Sequence, residues 1–330
     1  MKPPLILTSD AAVASGQAFL NGELEKRHME INMPLQSHTW QRDMPYDMGG
    51  GALEWVSNMF VDLASAGPNE DGIVAGATNV IPLIQANFSK DNTPVFPWMN
   101  NMAIKFLDLQ KIQNTGRGLN EVLQTGLQTN WNKTLDKLVY TGFTSVGITG
   151  LINDARVTAA SVANSALNPN GVSGAALKLW KNKTPDEVLQ DFNDFLTAAA
   201  LSAQYSESDL INTILMSWEN YAYLVSVKVS SAGNCSLLTY LLDNNIVQKR
   251  GINLQIKPCR QCFGAGASGV NRMVGYVQRK DRLQFDITVP LSKGMTEASA
   301  KDVTYYTNFF GFFSALQLKY LQTIRYADGM

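Results

Sequence analysis

LNEVLQTGLQTNWNKTLDKLVYTGFTSVGITGLIND, Leu119 to Asp154, is the stretch whose reading decides the fold. Leu119, Val122, Leu123, Leu127, Trp131, Leu135, Leu138 and Val139 recur at spacings of three and four, which puts them in one stripe of a helix. The other face is Gln, Asn, Thr and Lys. At 1.5 Å per residue, Gly118 to Thr141 makes a rod of about 35 Å, well beyond the three turns of an average helix. A rod of that length with one apolar stripe needs a surface to lie across. Gly142, Gly147 and Gly150 follow it, framing Phe143 and Leu151, and they read as a hinge to the next part of the chain.

Outward from the rod, the N-terminal side is extended. Residues 1–48 do not resemble a domain: Pro3, Pro4, Pro34 and Pro45 break helices, and Met29, Met33, Met44 and Met48 are scattered among polar neighbours. The segment reads as a disordered tail or as an arm ordered by a partner, with Trp40 and Tyr46 as anchors. After three glycines at 49–51, Leu53, Val56, Phe60 and Leu63 return to helical spacing, so residues 49–67 are expected to be a helix joining arm to body. Between 68 and 115 two apolar runs, Val80–Ile84 and Val95–Leu109, flank the polar sequence SKDNTP (Ser89–Pro94). This pattern predicts a long hairpin with Lys90 at its tip. Such a hairpin cannot bury both faces by itself; Phe88, Phe96 and Trp98 are its candidate anchors.

On the C-terminal side, Val157–Trp180 is a loop-like excursion of small and polar residues. Thr184-Pro185-Asp186-Glu187 is a capping box that opens a helix through Val188, Leu189, Phe192, Phe195 and Leu196. Leu210–Met216 reads as a strand, Ser217 as the cap of a helix over Trp218–Val225, and Leu237–Leu242 as another helix. Strands follow around Ile252–Ile256, Met273–Val277, Leu283–Val289 and Leu316–Tyr326. The class is α+β with mostly antiparallel strands.

The chain has 330 residues, enough for two compact units, and only 17% are charged. Asparagine, with 27 copies, is as frequent as lysine and arginine combined. A neutral polar surface of this kind desolvates at modest cost, which suits large protein interfaces. Net charge is −1 and no run of basic residues exceeds two, so no stripe for tracking a phosphate backbone is present. No stretch approaches the roughly eighteen apolar residues of a membrane helix. Three cysteines argue against a disulfide framework, and the chain reads as cytosolic.

Enzymatic motifs dissolve on inspection. Gly264-Ala-Gly266-Ala-Ser-Gly269 fits the dinucleotide expression, but a strand-like segment follows where the phosphate-binding helix should begin. Cys259 and Cys262 have C-x-x-C spacing without two further ligands, since Cys235, His28 and His38 are remote in sequence. No catalytic, cofactor-binding or metal residue is nominated. Trp40, Tyr46, Phe88, Lys90, Phe96 and Trp98 remain as candidates for subunit contacts.

With these elements in order, the chain from Gly49 to Met330 resembles the major capsid proteins of tailed bacteriophages, a fold shared with encapsulin shells. The resemblance is carried by the arm, the extended loop and the long helix, then VYTGFTSVGITGLIND (Val139–Asp154) and TPDEVLQD (Thr184–Asp191). Further on it rests on Asn212–Ser217 with Tyr221 and Leu224, on Leu237–Asn245, Arg272–Tyr276 and Val289-Pro290, and on the close at Arg325–Gly329. It implies an arm over 1–48, an extended loop over 68–115, a peripheral domain over 116–154 and 291–330 with the rod as its spine, and an axial domain over 155–290. It implies self-assembly into pentamers and hexamers of an icosahedral shell that encloses double-stranded DNA without reading its sequence. Scaffold, portal and decoration proteins are its possible partners, and assembly belongs in the host cytoplasm. Some relatives join a loop lysine to an asparagine of another subunit; no carboxylate to catalyse that step is visible for Lys90, so no crosslink is expected. A cellular compartment shell and a dinucleotide enzyme are the alternatives.

Overall fold

The computed structural model describes residues 37–66, 83–106, 119–230 and 235–330, with the side chains of 63–66 and 119–121 left aside. Its helices are α1 (Trp40–Asp43), α2 (Leu119–Tyr140), α3 (Pro185–Ser202), α4 (Trp218–Ser226), α5 (Leu237–Asp243) and α6 (Ile246–Lys249). Its strands are β1 (Tyr46–Met48), β2 (Trp55–Ala66), β3 (Leu83–Lys105), β4 (Gly142–Phe143), β5 (Ile148–Thr149), β6 (Ala159–Ser161) and β7 (Thr213–Met216). They continue with β8 (Gln255–Pro258), β9 (Arg272–Tyr276), β10 (Leu283–Ile287), β11 (Val289–Ser299), β12 (Thr304–Ser314), β13 (Gln317–Leu318) and β14 (Ile324–Asp328). Most strand pairs are antiparallel; β1 with β10, β6 with β14 and β7 with β8 are parallel.

The rod is α2, and its stripe is used unevenly. Leu127, Trp131, Leu135, Leu138 and Val139 are buried, whereas Val122 and Leu123 are only half-buried. The surface across which it lies is the inner face of β3 and β12. Trp131 packs edge-on against Trp98, with ring centroids 5.1 Å apart, and tilts onto Phe313 at 5.7 Å. Gly311 makes room for this indole, because a Cβ there would come within 2.6 Å of it.

The glycines after α2 do not form a hinge. Gly142 has φ +68°, and an added Cβ would meet the Ile148 carbonyl oxygen at 2.2 Å; at Gly150 it would meet Tyr140 backbone at 2.4 Å. The chain therefore folds back tightly on the helix end. Leu151 N–H donates to Val139 (2.8 Å) and Ile152 N–H to Tyr140 (3.0 Å), and all four residues are buried. Close packing of backbone on backbone fixes this junction.

Two hydrophobic cores share one wall. The five-stranded sheet, in order β6-β14-β9-β7-β8, alternates along each strand as a pleated sheet must. Leu215, Val274, Tyr276, Ile324 and Tyr326 face the core built on α2, while Ile214, Met216, Met273 and Ala327 face the core built on α3, α4 and α5. The α3 helix starts where the capping box predicts it: Thr184 accepts from Glu187 N–H, and the Glu187 carboxylate accepts from Thr184 N–H at 2.9 Å. Ser217 caps α4 with one half of that pattern, accepting from Asn220 N–H at 3.3 Å.

Several expectations need correction. Residues 55–66 are strand β2, where a helix over 49–67 is expected from spacing alone. Across 68–115, the polar SKDNTP sequence lies inside the continuous 23-residue strand β3 and is no turn. The connection from β2 to β3, residues 67–82, lies outside the described residues. In the sheets, β14 pairs with β6 and β9, and β10 pairs with β1 and β13.

Of the arm expected over 1–48, residues 37–48 fall among the described ones, and they strap onto their own body. Trp40 and Met44 are 1% exposed, so Met44 alone contributes about 1.5–3 kcal/mol. The strap is pinned to α2 through Asp136, whose carboxylate accepts from Thr39 N–H (2.8 Å), Trp40 N–H (3.2 Å) and the Gln261 side chain. Burial nevertheless holds the Asp136 pKa above its ordinary value. A second pin is Asp43, fully buried, which accepts from Arg42 Nε (2.6 Å) and the Tyr140 hydroxyl (2.5 Å).

Candidate functional site

The candidate site grows out of β3, a strand that belongs to two ladders. From Val95 to Lys105 it pairs with β12 and is part of the body; from Leu83 to Pro94 its only partner among the described residues is β2. At about 3.3 Å per residue, residues 83–94 reach about 40 Å. All residues from Leu83 to Asn92 are exposed, so this part is a two-stranded ribbon with little beneath it. Trp, Val, Phe, Ile and Thr favour the pleated conformation here even without a core to cover them.

The ribbon has two unlike faces. Directly paired residues share a face, and the register Trp55↔Pro94, Ser57↔Asn92, Met59↔Lys90, Val61↔Phe88 defines one of them, with Ile84 further along. Met59 is 73% exposed, Ile84 75% and Phe88 71%, and Trp55 and Val61 are also open. Isolated exposed apolar residues need no explanation, but a contiguous row rimmed by polar groups marks an interaction surface. The other face is more polar, with Gln85, Asn87, Ser89, Asp91, Asn58 and Asp62, and with Val56, Phe60 and Leu83 among them. Burial alternates accordingly, with Val56, Asn58 and Phe60 partly covered and Trp55, Ser57, Met59 and Val61 exposed. The polar face therefore turns toward the body: Asn58 Nδ2 donates to Gln317 Oε1 at 2.7 Å, and Phe60 stands edge-on to Tyr320 with centroids 5.9 Å apart.

The residues nominated from sequence separate into groups. Phe88 and Lys90 lie on the ribbon, but Lys90 sits midway along it opposite Met59, away from any tip. Phe96 and Trp98 fasten the other half of β3 to the α2 core, and Tyr46 is half-buried beside it. Trp40 is enclosed between Tyr46 and Phe285 and has no surface left for a neighbour. Trp55, Met59, Val61 and Ile84 were not nominated, although Trp55, Met59 and Val61 alternate with Val56, Asn58 and Phe60 at period two.

The remaining motifs are occupied by the protein itself. In the glycine-rich segment Gly266 N–H donates to the Val270 carbonyl (2.8 Å), Ala267 N–H donates to Asp328 Oδ2 (3.1 Å), and a strand follows. The amides that would cradle a phosphate are thus already taken, Ala267 N–H by a carboxylate and Gly266 N–H by a carbonyl. Cys259 and Cys262 are buried, and the hydrogen bond that the Cys262 thiol makes with Cys259, together with burial, keeps the Cys262 thiol pKa well up. A neutral, enclosed thiol is a poor nucleophile.

Comparison with known proteins agrees with this geometry. The profile of the family described as Major capsid protein matches residues 70–330. Among solved structures, the capsid of Myoviridae phage XM1 superposes with a TM-score of 0.75 over 100% of both chains at 17% identity. Microbacterium phage Oxtober96 gives 0.58 at 10% identity, covering 96% of this chain and 97% of that one. The capsid of an empty GTA particle gives 0.57 at 8% identity over 94% and 97%. No curated protein matches in sequence.

Proposed function

The chain belongs to the major capsid protein family, and on that premise we propose that the β2–β3 ribbon is the reach by which each copy grips the next in a closed shell. The protein is a structural subunit of a tailed-phage capsid fold. The observation that carries the proposal is the exposed apolar face of Trp55, Met59, Val61, Ile84 and Phe88 on a ribbon that has no core of its own among the described residues. Set on a second copy, that face loses its contact with water, and the gain is roughly proportional to the area covered. Closed symmetry multiplies one modest contact into many, so the shell holds although each pair is weak.

The two cores support a division of labour. The α2 core, with the β2–β3 ribbon and the β11–β12 pair, acts as the peripheral domain, and the α3 core with its helices acts as the axial domain around pentamer and hexamer axes. A net charge of −1 suits a wall that encloses double-stranded DNA without gripping it. Assembly takes place in the host cytoplasm, with scaffold or portal proteins as further partners. No covalent crosslink forms through Lys90, so mature particles run as a monomer band on a denaturing gel; a ladder of multimers contradicts this.

The test is a pair of variants compared with the parent in the same expression. Phe88→Asp places a charge on the outer face, and Gln85→Asp places one on the inner face. The proposal expects folded chain without shells from the first and shells from the second, by light scattering and electron microscopy. Normal shells from Phe88→Asp overturn it.

A further inference from the structure

The ribbon meets the body at a small group of contacts that does more than support it. Asn58 and Phe60 lie two residues apart on the inner face of β2, and each has a partner just beyond β12. Asn58 donates to Gln317 (2.7 Å), whose own Nε2 donates to the buried Asp286 carboxylate at 2.6 Å. Phe60 stands edge-on to Tyr320, and the Tyr320 ring also receives the Arg282 guanidinium at 4.6 Å from its centroid. Arg282 Nε in turn donates to Asp209 Oδ1 at 2.6 Å. The charged hydrogen bond holds the Asp209 pKa down and that of Arg282 up.

We propose that Phe60, Tyr320, Arg282 and Asp209 form a positioning latch that sets the angle at which the ribbon leaves the body and ties that angle to the α3 side of the molecule. Asp209 lies in the turn between α3 and β7, so the relay crosses from the ribbon to the second core. A two-stranded ribbon is soft toward rotation about its base, because it has neither a third strand nor a packed face. Its direction is therefore set at the base, by the inner-face contacts at Asn58 and Phe60. Tyr320 remains 42% exposed. Water competes for a ring so open, and the latch yields when the ribbon is loaded by a neighbour.

The latch deepens the reading of the ribbon as the subunit's reach, but its test is independent of assembly. Spin labels at Asn87→Cys on the ribbon and Asp243→Cys on α5, in a Cys235→Ser background, report the ribbon-to-body distance by pulsed electron resonance. Labelled chain is kept a minor fraction of the whole so that distances are intramolecular, and the buried Cys259 and Cys262 take no label. The parent and Tyr320→Phe, which keeps the ring, are expected to give the same narrow distribution. Tyr320→Ala and Phe60→Ala are expected to broaden it and move its mean, with the melting temperature held as the control for folding. Unchanged distributions in both alanine variants overturn the latch, as does a Tyr320→Phe distribution as broad as that of Tyr320→Ala. If Phe88→Asp chains form shells while the alanine variants broaden, the ribbon's role fails and the latch stands.

Discussion

At the scale of single residues, the fold depends on places where a side chain is fitted to its neighbour within a few tenths of an ångström. Gly311 is one, because Trp131 occupies the space a Cβ would need. Gly311→Val is expected to lower stability by about 1–3 kcal/mol, measured by urea unfolding, since the indole has nowhere to go between Trp98 and Phe313. Glu187 is another, and it makes a pH prediction. Burial works against its charge, but N–H groups of Thr184, Leu167 and Ala166 and the Ser165 hydroxyl hold its pKa down to about 2. A depressed carboxylate contributes stability that is present above its unfolded value, about 4.3, and is lost as pH falls through the folded value. Unfolding free energy measured against pH is therefore expected to fall between about pH 4 and 2, and Glu187→Gln is expected to flatten that part of the curve. The same slope in the variant contradicts this assignment.

At the scale of elements, what sequence reveals depends on whether an element has a core. The α2 helix, the capped α3 and α4 and the alternating β10 were legible because each buries one face, and burial writes its period into the residues. Thr184→Ala is expected to cost about 1 kcal/mol in urea unfolding, through loss of the hydroxyl that accepts from Glu187 N–H; the backbone half of the box does not need the side chain. The ribbon misleads for the same reason in reverse. With no core under β2, Leu53, Val56, Phe60 and Leu63 fall by chance at helical spacing, and the true alternation through Trp55, Met59 and Val61 competes with it. The polar SKDNTP sequence resembles a turn because its first four residues, Ser89 to Asn92, are polar and exposed on both faces of the strand, which leaves no apolar alternation to mark it. Pairing partners such as Met59↔Lys90 are not local information. The apolar outer face, and with it most of the candidate site, was therefore hidden from one-dimensional reading.

At the scale of the whole molecule, the α2 core and the α3 core share a sheet, and a single strand, β3, connects the first of them to the outside. Half of β3 is anchored by Phe96, Trp98 and Trp131; the other half carries an open apolar face. A monomer built in this way is complete in its cores and incomplete at its ribbon. That incompleteness is the central claim, and a map of the assembled particle by electron cryomicroscopy tests it most directly. The account predicts that Met59, Val61, Ile84 and Phe88 lie buried against a second copy. A particle in which that face looks into solvent contradicts it.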